Sequence, residues 1–559
     1  MNSSDTVAGL LLARVGDQRP GLRTRERTWT WDEVVRESAA RAAVLTERRD
    51  PGRPFHVGIL LENVPDFLFW LGGAALAGAA VVGINPTRRG AELEREVRHV
   101  DCQFIVTDRP GRDLLHGLDV GVPADAFVLV DDAGYPQLIR AHACEPTKAD
   151  AVEASTLFLL LLTSGTTGAS KAARCTQGRL ARLAFANCAK YDIDSADVCY
   201  CCMPLFHGNA LMGLWAPALS QGATICLVRA FTASGFLPDA RFYGATYFTY
   251  VGKAISYILA TPERDDDAAN ELDHGFGTEA SPEDQAEFAR RFGARLVEAY
   301  GSSESTGHVR RVPDAPSGAL GRPANDDVAV LDPATLRRCA PARLDEHGRL
   351  LNPDEAIGEI ADRGAAARFE GYYNNEAANR ERVRDGWYWS GDLGYLDEAG
   401  FLYFAGRRGD WVRVDGENFS TLVVTRILRR HKQVLAAAAF AIADPRSGDQ
   451  LMVALEVADP GAFDAAAFAA FLAAQPDLGT KATPRFVRVS AALPTTGSNK
   501  LMSKQMQNEA WLCADPVYAS RGRGEVDYRL MSNEDKRALE AEFFASGRQR
   551  LLPAAAVRV

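Results

Sequence analysis

Leu157-Phe158-Leu159-Leu160-Leu161-Leu162 runs directly into Thr163-Ser164-Gly165-Thr166-Thr167-Gly168-Ala169-Ser170-Lys171. The apolar run reads as a buried strand. The glycines and hydroxyl residues behind it offer backbone N–H groups and small side chains with little bulk, which is what a polyphosphate needs around it. ATP is therefore the first ligand to expect. The rival is the Walker loop, which places a Gly before its Lys and a Ser or Thr after it. Ser170 and Ala172 occupy those places, so the match fails at both.

Outward from this loop, strand-like runs (Val57 to Leu61, Phe104 to Val106, Phe127 to Val130, Thr224 to Val228) alternate with helix-like stretches such as Ala91 to Val100. That alternation predicts βα units and parallel sheets, an α/β fold. After about residue 318 the texture changes to short strands and turns such as Asp397-Glu398-Ala399-Gly400, which predict antiparallel hairpins. Charge and two glycines at Gly406-Arg407-Arg408-Gly409-Asp410 mark a boundary. Beyond it a small α+β unit is expected, with Thr421 to Arg430 and Ala465 to Leu472 as helices and Val434 to Ile442 as a strand. Ser532-Asn533-Glu534-Asp535 starts a last helix carrying Leu539 and Phe543 on one face. The domains are expected at residues 1–408 and 409–559.

At 559 residues the chain exceeds one hydrophobic core. A net charge of -10 and the lack of a basic stripe argue against a nucleic-acid partner. The ten cysteines show no zinc or disulfide spacing and read as reduced buried thiols. With no basic region or long apolar core at the N-terminus, a cytoplasmic location is expected. The uncharged segment Phe67 to Ile84 imitates a membrane span, but its four glycines and β-branched end predict a buried helix running into a buried strand. Asp265-Asp266-Asp267 is expected to be a solvated loop.

Four further stretches carry chemistry. Tyr300-Gly301-Ser302-Ser303-Glu304 combines a ring that can stack on a purine with a carboxylate that can hold Mg²⁺ through oxygen. Ser390-Gly391-Asp392-Leu393-Gly394, with Arg407 after a hairpin, pairs an acceptor for vicinal ribose hydroxyls with a cationic donor. Leu493-Pro494-Thr495-Thr496-Gly497-Ser498-Asn499-Lys500 presents one lysine on a turn-rich loop, where a point charge offsets repulsion between a carboxylate and a phosphate. Met203-Pro204-Leu205-Phe206-His207-Gly208 carries His207 after its Phe; by resemblance to amino-acid-activating adenylation domains, which have there an Asp that pairs with the substrate's ammonium, this implies an acid without an α-amine.

Together these stretches resemble the motifs of the adenylate-forming superfamily, which comprises acyl-CoA synthetases, peptide-synthetase adenylation domains and luciferases. The segment Arg407-Arg408-Gly409-Asp410-Trp411-Val412-Arg413-Val414-Asp415-Gly416-Glu417-Asn418-Phe419-Ser420-Thr421 and the tail Asp515-Pro516-Val517-Tyr518 look like the fatty-acid-transport and very-long-chain acyl-CoA synthetase group. Within it, the likeness is to actinobacterial fatty-acid and steroid side-chain CoA ligases. The resemblance implies a large N-terminal domain of stacked α/β subdomains with a small β-rich subdomain, hinged to a small α+β C-terminal domain.

It further implies ATP and Mg²⁺ as cofactors, coenzyme A as co-substrate and a hydrophobic carboxylic acid as partner. Thr163, Ser164, Gly165, Thr166, Thr167, Gly168 and Lys171 would hold phosphate. Gly277, Thr278 and Glu279, in Gly275-Phe276-Gly277-Thr278-Glu279, and Tyr300, Gly301, Ser302 and Ser303 would surround the nucleotide. Glu304 would hold the metal, Asp392 and Arg407 the ribose, and His207 would stand beside the acid. Lys500 would promote adenylation, although Asn499 replaces the usual Gly before it, and Gly409 would be the hinge. Two other readings stay open: an adenylase serving a carrier protein, and a lipid-uptake protein with vestigial ligase motifs. Peripheral membrane contact and a homodimer also stay open. Trp215, Tyr247 and Tyr250 are expected near the acyl pocket.

Overall fold

The computed structural model describes residues 5–163, 171–302, 304, 309–310, 312, 315–316, 318–345, 350–407, 411–414, 417–446, 448–478, 480–497, 500–520 and 526–553. It divides into two compact units, Met1–Thr306 with Arg368–Glu381, and Gly307–Ala367 with Arg382–Val559. The architecture is mixed α/β, as the alternation of strands and helices predicts.

Among its described residues the first unit has two sheets. One has the strand order Phe127–Leu129, Phe104–Thr107, His56–Leu60, Ala80–Gly83, Leu157–Thr163, Lys171–Thr176, and every neighbouring pair is parallel except the last. The other runs Arg295–Glu298, His274–Thr278, Tyr247–Val251, Val198–Cys201, Thr224–Leu227, Pro20–Arg23, Thr28–Thr30, again parallel up to a final antiparallel pair. Strands covered on both faces need apolar residues at every position, which is why Leu157 to Leu162 is continuous rather than alternating. One apolar core joins both sheets, from Val57 and Phe158 to Tyr200 and Phe248.

The span-like segment is a helix, Pro65–Ala77, with Pro65 in its first turn and Gly78 closing it at φ +77°, followed by the strand Ala80–Gly83. Proline fits the first turn, where its missing N–H would have no partner, and glycine takes the left-handed cap without a Cβ penalty. Among the described residues no helix is long and apolar enough to cross a membrane.

The second unit begins with an antiparallel sheet, ordered Val309–Arg310, Ala319–Pro323, Leu402–Arg407, Trp387–Leu396, Gly358–Asp362, Val328–Leu331. The expected hairpin turn is present, with the Phe401 N–H donating to Asp397 Oδ1 at 2.8 Å and Gly400 at φ +80°. A five-stranded sheet follows, Val434–Ala443, Asp449–Val457, Phe486–Ser490, Val517–Ser520, Tyr528–Leu530. The helices Thr421–Arg429 and Ala465–Ala473 belong to the same unit. The last helix, Asn533–Ala545, has the capping box expected at Ser532 and buries Phe543.

The boundary expected at Gly409 falls outside the described residues. The helix Thr421–Arg429 touches the strand Leu402–Arg407, so the antiparallel sheet groups with the C-terminal elements. Arg368–Glu381 returns to the first unit, where the Arg174 N–H donates to Gly371 O at 3.0 Å and the Tyr373 N–H to Ala172 O at 2.9 Å.

Two finer expectations need correction. Asp267 is buried, not solvated: it receives the Arg291 guanidinium at 2.6 Å, with both side chains 4% exposed. Burial pushes its carboxyl up, and the Arg291 and Arg264 hydrogen bonds more than offset this, leaving it below the usual carboxylate range. All ten cysteines are free thiols, but Cys144 is exposed and Cys339 half-buried, while the other eight are buried. Burial raises Cys102, Cys175 and Cys201 to about 12, so these thiols are inert at neutral pH.

Candidate active site

The candidate segments of the first unit leave the carboxyl ends of parallel strands. Thr163 ends Leu157–Thr163, Met203 to His207 follow Val198–Cys201, Glu279 follows His274–Thr278, and Tyr300 to Ser302 follow Arg295–Glu298. In α/β sheets this is the edge at which ligands bind, because crossovers there open into loops.

Thr163 pairs with Lys171 across the antiparallel edge of its sheet. The Thr163 hydroxyl lies 3.3 Å from Lys171 O and 3.4 Å from Glu304 Oε1. Glu304 is buried, and the Tyr372 hydroxyl donates to the same Oε1 at 3.0 Å. Lys171 is also buried, with Nζ 3.6 Å from Glu381 Oε2 and 5.3 Å from the centre of the Tyr372 ring. A buried carboxylate and a buried ammonium need partners. Here the partners are hydroxyls, a second carboxylate and an aromatic face.

His207 caps the short helix Gly208–Ala210 and is half-buried, its ring 5.4 Å from that of Phe206. The turn before it is fixed by Asn63, whose Nδ2 donates to Met203 O at 3.0 Å while its Oδ1 accepts from the Leu205 N–H at 2.9 Å. After it, Leu211–Trp215 forms a π-helical turn, a rare geometry that often accompanies functional sites. The Tyr247 hydroxyl donates to Gly213 O at 2.7 Å in this turn. Trp215, Tyr247 and Tyr250 are all buried.

Gly277 and Thr278 lie on the strand His274–Thr278, and a Cβ on Gly277 would stand 2.4 Å from Tyr250 O. Only glycine allows that approach. Glu279 has φ +74°, and its carbonyl fills the space where a side chain on Gly252 would go. Glu298 Oε1 accepts from the Tyr250 hydroxyl at 2.8 Å and the Ala280 N–H at 3.1 Å, tying the start of the Tyr300 segment to this turn. Tyr300 is half-buried, and Gly301 and Ser302 are exposed.

In the second unit, Asp392 and Arg407 are register partners on adjacent strands, and Arg407 Nε donates to Asp392 Oδ1 at 3.1 Å. Arg407 is 54% exposed against 15% for Asp392, so solvent screens the pair and the acid is the better-held partner. Gly391, at φ +77°, donates its N–H to Glu359 Oε1 at 2.9 Å and shapes the turn before the acid. Lys500 is exposed on a tight turn in which the Thr496 N–H donates to Lys500 O at 2.7 Å and the Lys500 N–H to Thr496 Oγ1 at 3.1 Å.

Ser164, Gly165, Thr166, Thr167, Gly168, Ser303, Gly409 and Asn499 lie outside the described residues. Of the rest, the structure brings together Thr163, Lys171 and Glu304, and separately Asp392 and Arg407. The sequence reading missed Glu370, Tyr372 and Glu381. Glu370 takes both the Thr176 N–H at 2.8 Å and its hydroxyl at 2.7 Å, so all three act on the strand Lys171–Thr176 or on Glu304. The alternation of Glu370 and Tyr372 was visible, but not the strand they pair with, which is some two hundred residues away.

Residues 13–373 match the family described as AMP-binding enzyme. The chain is 66% identical over 548 residues to a steroid-22-oyl-CoA synthetase of Rhodococcus jostii (strain RHA1), covering 98% of this chain and 99% of that protein. It is 42% identical over 524 residues to the medium/long-chain-fatty-acid–CoA ligase FadD17 of Mycobacterium marinum, covering 93% and 99%. Among solved structures, an anthranilate CoA ligase in complex with anthranoyl-AMP superposes with a TM-score of 0.79 at 18% identity, covering 92% of this chain and 99% of that one. At that identity the likeness is one of fold.

Proposed function

The chain belongs to the AMP-binding enzyme family and is an ATP-dependent acyl-CoA ligase, and from that premise we propose that its acid is the carboxylated side chain of a steroid. The observation that carries this is the 66% identity, over nearly the whole of both chains, to a steroid-22-oyl-CoA synthetase. The more distant ligases named for medium- and long-chain fatty acids supply the second reading.

In the first half-reaction a carboxylate oxygen attacks the α-phosphorus of ATP, the bond to pyrophosphate breaks, and acyl-AMP forms. Thr163 and the residues 164–168 cradle the departing phosphates, with Lys171 steering them. Gly277, Thr278, Glu279, Tyr300, Gly301, Ser302 and Ser303 surround the nucleotide, and Asp392 accepts from the ribose with help from Arg407. His207 stands beside the acid. Lys500 places a positive charge between the two reacting anions. Glu304, whose Oε1 accepts from two hydroxyls, would hold Mg²⁺ through oxygen, and the ion would neutralise charge on the phosphate oxygens.

In the second half-reaction the thiol of coenzyme A attacks the acyl carbon and AMP leaves. Gly409 is the hinge that withdraws Lys500 to make room for the thiol, with the moving domain taken as residues 409–559. Reduced thiols and these substrates favour the cytoplasm. A comparison of kcat/KM between a steroid side-chain acid and medium- and long-chain fatty acids tests the substrate. We expect the steroid acid to lead by at least tenfold; a lead by any fatty acid overturns the assignment.

A further inference from the structure

Glu304 is held by a residue from a remote part of the chain. Tyr372 sits 68 residues further along, is 2% exposed, and donates its hydroxyl to Glu304 Oε1 at 3.0 Å. The Thr163 hydroxyl reaches the same oxygen at 3.4 Å. Among the described residues, no hydrogen bond is made to the other oxygen, Oε2.

Tyr372 is itself anchored from both sides. Its N–H donates to Asn379 Oδ1 at 2.6 Å, and it bridges to Ala173 on the strand that follows the phosphate-loop segment. Next to it, the Tyr373 hydroxyl donates to Asp101 Oδ2 at 2.9 Å, and Asn374 Nδ2 reaches the same atom at 3.2 Å. The Tyr372 ring also lies under the Lys171 ammonium, whose other partner, Glu381, comes from the same returning segment. One short stretch thus touches both Glu304 and Lys171.

We propose that Tyr372 is a positioning residue for the metal-binding carboxylate: its hydroxyl occupies Oε1, fixes the rotation of the Glu304 carboxylate, and presents Oε2 to the cation. A carboxylate free to rotate would sample non-coordinating orientations and lose affinity, and partners of metal ligands typically contribute about ten- to a hundredfold. The inference rests on the reading of Glu304 as the metal ligand, and the two are tested separately.

The test is Mn²⁺ binding in the presence of a non-hydrolysable ATP analogue, followed by electron paramagnetic resonance without any acid substrate, on wild type, Tyr372→Phe, Glu304→Gln and the double variant. Phenylalanine keeps the ring over which Lys171 lies and removes only the donor; Tyr372→Met replaces it if the first variant fails to fold. Mn²⁺ affinity is expected to fall roughly tenfold or more in Tyr372→Phe, with no further fall when it is added to Glu304→Gln. Unchanged affinity in Tyr372→Phe alongside a loss in Glu304→Gln overturns the positioning role alone. Unchanged affinity in Glu304→Gln overturns the metal reading and the inference with it.

Discussion

Lys500 is exposed on its turn, and its backbone is fixed by hydrogen bonds in both directions with Thr496. An exposed lysine on a turn held at its backbone can serve one step and withdraw for the next, which a buried lysine such as Lys171 cannot do. Lys500→Ala is expected to lower acid-dependent exchange of pyrophosphate into ATP by about a hundredfold or more, as loss of a charge aimed at the transition state does. Thioester formation from supplied acyl-AMP should stay near wild type. Measuring the two half-reactions separately decides it, and survival of the exchange would remove Lys500 from the first step.

Strand ends organise the site at the level of elements, and they also show what could be read in advance. Leu157 to Leu162 is legible as a strand because burial on both faces leaves an unbroken apolar signature, and the last helix, Asn533–Ala545, is legible because its capping box at Ser532 is local. Boundaries slipped by a residue or two, as at His56–Leu60, because helix and strand ends depend on neighbours. Asp267 was misread because a run of three acids looks solvated until Arg291, twenty-four residues later, is brought against it. Tyr372 left no local trace of its role, since its partner Glu304 is reached only through tertiary pairing.

Gly409 stands in sequence between the strands Leu402–Arg407 and Trp411–Val414, and a link between two elements is where backbone freedom has most leverage. Proline fixes φ near −65° and removes a donor. Gly409→Pro should therefore slow thioester formation several-fold more than adenylation. Equal slowing of both, in single-turnover measurements, would remove the hinge.

For the whole molecule, the central claim is that one chain couples the two half-reactions on a hydrophobic acid. Similarity over nearly the full length to ligases named for steroid-22-oyl and medium- or long-chain fatty acids supports it, as does a strand-end site with a buried, hydroxyl-held carboxylate. An uptake protein with vestigial motifs would form no AMP from any acid. An adenylase for a carrier protein would activate the acid but would not accept free coenzyme A. The most direct measurement is the stoichiometry of AMP, pyrophosphate and acyl-CoA formed from a steroid side-chain acid, ATP and coenzyme A with no carrier protein present. Equal amounts of all three, with none when either acid or ATP is omitted, is the predicted result; AMP without thioester, or no AMP with any steroid or fatty acid, would contradict it.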